Sequence, residues 1–207
     1  AKQGFQGPRW PYEGRFGLYN THLGPLAEGL DFSRAVAELH QRWEVGRVAV
    51  KPFPACHFNH ATADATLALV REHGLKAEQV AQVTVLMPKE SLPVVCEPIE
   101  AKRAPQNAYE AQFSIPYTVA ASCVRGKFGL AELESDALND PKIRSLAQKV
   151  GYQIDPNATF PDYFSGEVIV KTHDGRELRY REAKNRGAGD RPLSSQDIVA
   201  KFTENAL

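Results

Sequence analysis

Pro52 and Pro54 stand directly ahead of an alanine-rich run, and this pairing constrains the fold more than any other feature of the chain. Two prolines so close together forbid a helix across Lys51-Pro52-Phe53-Pro54 and stiffen the backbone. Val48-Ala49-Val50, just before them, reads as the end of a short buried strand. From near His57 to Arg71 the sequence is rich in Ala, Leu and Val with no proline, which predicts a helix. A lysine is thus expected at a strand end, followed by a rigid elbow and a helix whose first turn carries His57, Asn59 and His60. Backbone N–H groups at a helix start attract anions. With Lys51 and two histidines beside them, they form a candidate carboxylate-binding corner.

Plainer readings of the same residues stand next to this one. A strand-end lysine is often only a solvated side chain. His60 and Asp64 lie four apart, so they can form a surface pair on one helical face. His57, His60 and Asp64 also look like a metal set. The H-x-x-H-x-x-x-D spacing is not that of a zinc protease, however, and no glutamate base lies between the histidines. The expectation is that no metal is bound.

The chain has 207 residues, enough for one sizeable core or a core plus a smaller lobe. Its 43% hydrophobic and 24% charged residues are ordinary for a globular protein. Lysine plus arginine equals aspartate plus glutamate at 25 each, so charge gives no case for nucleic acid or for an anionic membrane. No apolar run approaches membrane-spanning length, and the polar opening is not that of a signal peptide. Cys56, Cys96 and Cys123 are odd in number and far apart, which predicts free thiols in a reducing cytosol. The chain opens at Ala1 without a methionine, which points to a processed chain or one piece of a longer polypeptide.

Along the chain, Gly4, Gly7, Pro8, Pro11, Gly14 and Gly17 mark a structured loop over residues 1–19. Trp10, Tyr12, Phe16 and Tyr19 in that loop predict packing on something. Arg15 either ties the loop down or reaches a ligand. Asp31 to Gly46 predicts a short helix capped by Asp31, with Val36, Leu39, His40 and Trp43 as its apolar stripe. VAQVTVLM at 80–87 alternates as a strand, and 94–101 is expected to be an edge strand or a loop. Lys102 and Arg103, two adjacent cations, read as a solvated loop. A second helix is best started near Ser114, which leaves Pro116 in the first turn where its missing N–H costs least. Ser114 and Gln112 then flank a helix N-terminus, and Tyr117 offers either a core hydroxyl or a proton relay. Asp140-Pro141 is a helix start. EVIVKT and ELRYR, joined across Asp174-Gly175, make the clearest hairpin. The Gly-rich 185–191 loop lacks the lysine and the strand–helix context of a phosphate loop. Ser194 or Ser195 caps a final helix. The fold class expected is α+β: a small sheet with a hairpin, packed by two central helices.

Five stretches in order give the chain a further resemblance. GFQGPRWPYEGRFGLY, KPFPACHFNHATADA, EAQFSIPYTVA, DP-x-I-x-x-LA-x-KV at 140–150 and PLSSQDIVAKF resemble the MmgE/PrpD family. That family includes 2-methylcitrate dehydratase, cis-aconitate decarboxylase and iminodisuccinate epimerase. The likeness covers the C-terminal half of a typical member, without the large helical N-terminal portion. It implies a lid domain over about 45–184. Residues 1–44 and 185–207 would then be remnants of the helical domain.

The resemblance also implies a cofactor-free reaction on a small polycarboxylate, with proton removal beside a carboxylate and elimination, most like 2-methylcitrate dehydratase. A site of that kind needs fixed cations and a proton-moving group. Lys51 fits the electrostatic role. His60 can move a proton or hold a carboxylate, since an unperturbed histidine titrates near neutrality. His57, Arg103, Ser114 and Tyr117 are the further substrate-binding candidates, Arg103 because a basic residue often precedes the AQFS motif in the family. Some members place histidine where this chain has Cys56, which argues against simple transfer of cis-aconitate decarboxylation. The partner expected is a second copy of the chain or a chain carrying the helical domain. Activity would need that domain. The alternatives are a non-catalytic polycarboxylate-binding or dimerising module, or a decarboxylase or epimerase of the same family.

Overall fold

The computed structural model describes residues 2–4, 6–31 and 33–206. Residues 1, 5, 32 and 207, among them Phe5 of the opening motif, lie outside the described residues. The chain divides into two compact units, Ala1–Arg47 and Val48–Leu207.

The first unit is built of turns and short helices. Its turns are tied by Gly17 N–H to the Gly14 carbonyl (2.7 Å), and by Leu18 and Tyr19 N–H to the Pro11 and Tyr12 carbonyls (3.0 Å each). Glycine is required at 17, where a Cβ would lie 2.4 Å from the Tyr12 carbonyl oxygen. Helix α1 (Leu18–Leu23) follows, then a 3₁₀ turn at Gly24–Ala27 and helix α2 (Arg34–Ala37). Arg15 lies over the Phe16 ring of its own loop, 5.2 Å from the centroid. The short helix expected within Asp31–Gly46 forms as α2, four residues long. Asp31 accepts hydrogen bonds from the backbone and hydroxyl of Ser33, closing a local turn and not a helix start. His40, beyond the end of α2, takes φ +67°, outside right-handed helical geometry. Val36, Leu39 and Trp43 are exposed, so no apolar stripe is buried.

The second unit is α+β. Helix α3 (His60–His73) is entered through a 3₁₀ turn at His57–Asn59. Strand β1 (Val80–Met87) follows, then short helices α4 (Leu92–Val95), α5 (Ile99–Arg103) and α6 (Ala108–Gln112). Helix α7 (Ile115–Arg125), α8 (Ser135–Leu138) and α9 (Pro141–Gln148) lead to strands β2 (Val150–Ile154), β3 (Gly166–Thr172) and β4 (Glu177–Glu182). Helix α10 (Ser195–Ala206) ends the chain. The sheet order is β2-β1-β3-β4. β1 and β2 run parallel, with Val83 opposite Val150, while β1–β3 and β3–β4 are antiparallel.

Alternation fixes the buried face of this sheet. Val83, Val85 and Met87 of β1 join Val168 and Val170 of β3 in one apolar layer. α3 packs across β3 and β4, and α7 packs against α3, α9 and β2. Ala61, Ala65, Leu69, Ile115, Val119, Ile143 and Leu146 are all at most 2% exposed and close that layer from above. The opposite face carries Gln82, Lys171 and Arg179, all exposed. The two central helices and the hairpin are therefore where the residue patterns put them.

Caps follow the sequence closely. Ser114 accepts from Tyr117 N–H at 3.0 Å and Asp140 from Lys142 N–H at 2.8 Å, each with proline in the first turn. Ser194 and Asp197 exchange reciprocal bonds at the start of α10. Two expectations are overturned. Residues 48–50 form no strand; Val48 and Val50 are exposed, and Val50 makes one backbone bond, to the Gly187 carbonyl. Residues 94–101, expected as an edge strand or a loop, instead carry the end of α4, a turn at 96–98 and the start of α5, with Pro93 in the first turn of α4 where its missing N–H costs least.

Candidate functional site

The loop from Lys51 to Asn59 is pinned at several points. Cys56 N–H donates to the Gln112 carbonyl at 2.8 Å, which ties the elbow to the turn before α7. Asn59, fully buried, donates to Thr118 Oγ1 at 2.9 Å and towards the Gln112 and Ser114 carbonyls. The starts of the two central helices are thereby held together. This is the physical reason that two distant motifs, around residues 51–65 and 110–120, belong to one place.

At the elbow, Lys51 is exposed and donates one of its ammonium hydrogens to the Ala55 carbonyl at 3.2 Å. Its other two donors are free to serve a ligand. His57 is half-buried beside it. Burial, reinforced by the Lys51 charge, holds the His57 pKa below the ordinary histidine value, so the ring is neutral at pH 7. The Phe164 ring lies flat on His57, with centroids 4.2 Å apart and planes 11° apart. Asn185 Nδ2 lies 2.9 Å from His57 Nε2.

His60 sits one turn further in. It is fully buried, and its Nε2 lies 3.3 Å from the same Ala55 carbonyl that Lys51 uses. A carbonyl only accepts, so Nε2 carries the hydrogen. Desolvation, with His57 and Lys51 adding to it, drives the His60 pKa down to about 3. The ring is thus permanently neutral near pH 7, and it braces the elbow from below. The expected His60–Asp64 surface pair does not form. Asp64 is instead gripped by Arg186, at 3.0 Å (Nη2 to Oδ1) and 3.3 Å (Nε to Oδ2). Arg186 also reaches Asp197 of α10 at 3.3 Å and lies over the Phe53 ring. Burial raises the Asp64 pKa, and Arg186 offsets part of that rise.

The other residues singled out from the sequence bond chiefly to backbone. Arg103 forks onto the Val150 carbonyl, at 3.2 and 2.9 Å, and pairs with Glu100. Its neighbour Lys102 donates to the Val94 and Phe113 carbonyls, so these two cations clamp short helices and a strand end and do not form a solvated loop. Ser114 donates to the Lys102 carbonyl and caps α7. Tyr117 is 1% exposed, and its hydroxyl donates to the Glu132 carbonyl at 2.6 Å. Burial pushes its pKa up to about 12.

Lys51 and His57 are thus brought together at the surface with His60 behind them. Arg103, Ser114 and Tyr117 brace the elements around them. Among the described residues no group of three or more His, Cys, Asp or Glu side chains is placed to hold a metal, and no helix is long and apolar enough to cross a membrane.

Asn185, Arg186 and Phe164 were not singled out from the sequence. Asn185 meets His57 across 128 residues and Arg186 meets Asp64 across 122, separations no local pattern reports. The available signal was an Asn-Arg pair opening a loop that has no strand or helix to support. Beside the corner, a cleft of about 260 Å³ is lined by Phe53, Lys127, Arg186, Asp197, Lys201 and Glu204.

Comparison with known proteins adds an independent finding. The model of the MmgE/PrpD C-terminal domain matches residues 53–207. Cis-aconitate decarboxylase of Mus musculus is 29% identical over 167 residues, covering 77% of this chain and 33% of its own length. The Homo sapiens cis-aconitate decarboxylase is 30% identical over 161 residues, with the same two coverages of 77% and 33%. The chain therefore spans about a third of the length of the curated relatives it matches.

Proposed function

Since the chain belongs to the MmgE/PrpD family, whose C-terminal domain fills residues 53–207, we propose that it forms the substrate-binding lid of a lyase acting on a small polycarboxylate. The observation that carries this reading is the pairing of an exposed lysine and a neutral histidine on a proline-stiffened elbow. Lys51 supplies fixed positive charge. His57 supplies a neutral polar contact for the same carboxylate. His60, Arg103, Ser114 and Tyr117 hold the elements that present them.

Removing a proton or carbon dioxide beside a carboxylate builds negative charge there, and a preorganised cation lowers that barrier. The group that takes the proton belongs, in this reading, to the helical portion found in family members. That portion is contributed by further sequence of the same polypeptide or by another chain, and in this reading the lid also pairs with a second copy. The relatives matched here are named for cis-aconitate decarboxylation. Cys56, where some members place histidine, argues against simple transfer of that decarboxylation, and the reading keeps a hydro-lyase of the 2-methylcitrate dehydratase type. No cofactor enters the scheme.

The test is thermal unfolding with citrate, against acetate at matched ionic strength. Citrate should raise the midpoint, acetate should not, and Lys51→Ala should abolish the rise. Equal response of parent and Lys51→Ala would refute the assignment.

A further inference from the structure

The surroundings of His57 decide which ring nitrogen holds its hydrogen. Asn185 is 2% exposed, and its side-chain amide has a neighbour on each side. On one side the Phe164 backbone N–H lies 3.0 Å from Oδ1. A backbone N–H can only donate, so the atom facing it is the amide oxygen, and the orientation of the amide is fixed. On the other side Nδ2 lies 2.9 Å from His57 Nε2. The amide nitrogen has two hydrogens and no free lone pair, so it too can only donate. His57 Nε2 is therefore the acceptor, and the neutral ring carries its hydrogen on Nδ1. Protonating Nε2 would set two donors against each other at that contact. The flat Phe164 ring, 4.2 Å away, holds the imidazole plane in register with the amide.

We propose that Asn185 is a positioning residue that holds His57 as the neutral Nδ1–H tautomer, so that His57 meets a substrate carboxylate as a hydrogen-bond donor and does not serve as the base. The donor role rests on the polycarboxylate reading above; the tautomer rests on the Asn185 contacts alone. The neighbouring His60 has the opposite tautomer, with Nε2–H on the Ala55 carbonyl. The titratable and charged groups nearest in this arrangement are Lys51 on the elbow, His60 one turn on, and Arg186 with its partners Asp64 and Asp197 on the Asn185 side. Asp64 and Asp197 are engaged by Arg186, and the hydrogen-bond partner at His57 Nε2 is Asn185, so a carboxylate approaching Lys51 from outside meets a ring whose only hydrogen is on Nδ1.

The test is long-range ¹H–¹⁵N correlation of the histidine side chains in the ¹⁵N-labelled chain at pH 7, with the His57 signals assigned by their loss in His57→Gln. The expected pattern is that of Nδ1–H with unprotonated Nε2. An Nε2–H or imidazolium pattern overturns the proposal. Asn185→Asp keeps an acceptor for the Phe164 N–H but sets a second acceptor against Nε2. It should move the hydrogen to Nε2 and raise the His57 titration midpoint by about one pH unit. An unchanged tautomer in that folded variant also overturns it, and if the variant does not fold the parent spectrum decides.

Citrate then separates the two claims. A shift of the His57 Nδ1–H signal on saturation supports the donor role, and saturation without a shift refutes it. Absence of citrate binding with the Nδ1–H pattern intact removes the polycarboxylate reading and the donor role with it, and leaves the tautomer standing.

Discussion

Replacing Arg186 by methionine should destabilise the second unit in a way that depends on pH. The guanidinium makes two charge-assisted bonds to Asp64, whose side chain is only 12% exposed, while Arg186 itself is 29% exposed. Removing one partner of a fully buried pair costs about 3–5 kcal/mol, because a charge is left inside without compensation. This pair is partly wet on the arginine side, so the expected loss is about 2–3 kcal/mol, or a fall in midpoint of roughly 5–10 °C for a chain of this size. The guanidinium also lies over the Phe53 ring, 5.6 Å from its centroid; methionine keeps the aliphatic stem but not that contact, whose loss is part of the difference.

The pH dependence follows from the Asp64 carboxyl. Its folded pKa is already raised by burial, with Arg186 pulling it back down. A raised acid binds its proton more readily in the folded state, so its ionisation costs stability as pH rises above the unfolded value of 3.8. Without Arg186 the folded pKa rises further and that cost grows. The penalty of Arg186→Met should therefore be largest near pH 7 and shrink towards pH 4, where the carboxyl is protonated. Urea unfolding of parent and variant at both pH values, followed by far-ultraviolet circular dichroism, measures it; groups that Arg186 does not touch cancel in the difference, and its other partner Asp197, 42% exposed, adds a small term of the same sign. Adding Asp64→Leu to Arg186→Met should recover more than half of the loss, since an apolar replacement of a buried pair is often neutral. A loss under about 0.5 kcal/mol at pH 7, within the range of an ordinary surface substitution, or one equal at pH 4 and pH 7, would refute the reasoning.

Other perturbations read other parts of the account. Tyr117→Phe deletes a buried hydroxyl and leaves the Glu132 carbonyl without that donor; it should cost about 1–2 kcal/mol in urea unfolding while leaving citrate-dependent stabilisation intact. Loss of the citrate effect in a folded Tyr117→Phe would instead place the phenol at the ligand. His60 has a folded pKa near 3 against 6.5 when unfolded. Its neutral burial thus contributes stability that is present above pH 6.5 and lost as pH falls towards 3. His60→Gln should flatten the stability–pH slope in that window by up to one proton; an unchanged slope would show that His60 titrates normally. Arg103→Met removes the fork on the Val150 carbonyl and should lower stability without changing citrate affinity, as titration calorimetry would report.

The sequence disclosed those parts of the fold whose causes are local. The β3–β4 hairpin was legible because alternation and an Asp-Gly turn act within a dozen residues. The starts of α7, α9 and α10 were legible because a capping side chain and a first-turn proline or reciprocal acid announce them. Where tertiary context decides, the local signal misled. Val48–Val50 had strand composition but no strand to pair with. Lys102 and Arg103 read as a solvated loop because they are adjacent cations, yet they end α5, with Lys102 on the Val94 carbonyl of α4 and Arg103 on the Val150 carbonyl of β2.

The site divides in the same way. The Lys51–His57 corner could be read from a proline elbow and a helix start. The depth of His60 could not, since it depends on Phe53 and the elbow folding over the ring. Asn185 and Arg186 were invisible because a loop that closes over more than a hundred residues leaves no periodic trace.

The most direct test of the central claim is a ¹H–¹⁵N chemical-shift map of the chain titrated with citrate. The account predicts saturable changes at the Lys51–His57 elbow and at Asn185, with the backbone around Arg103 and Tyr117 undisturbed. Saturation centred on Arg103 or Tyr117, or no saturable change at the elbow, would contradict it.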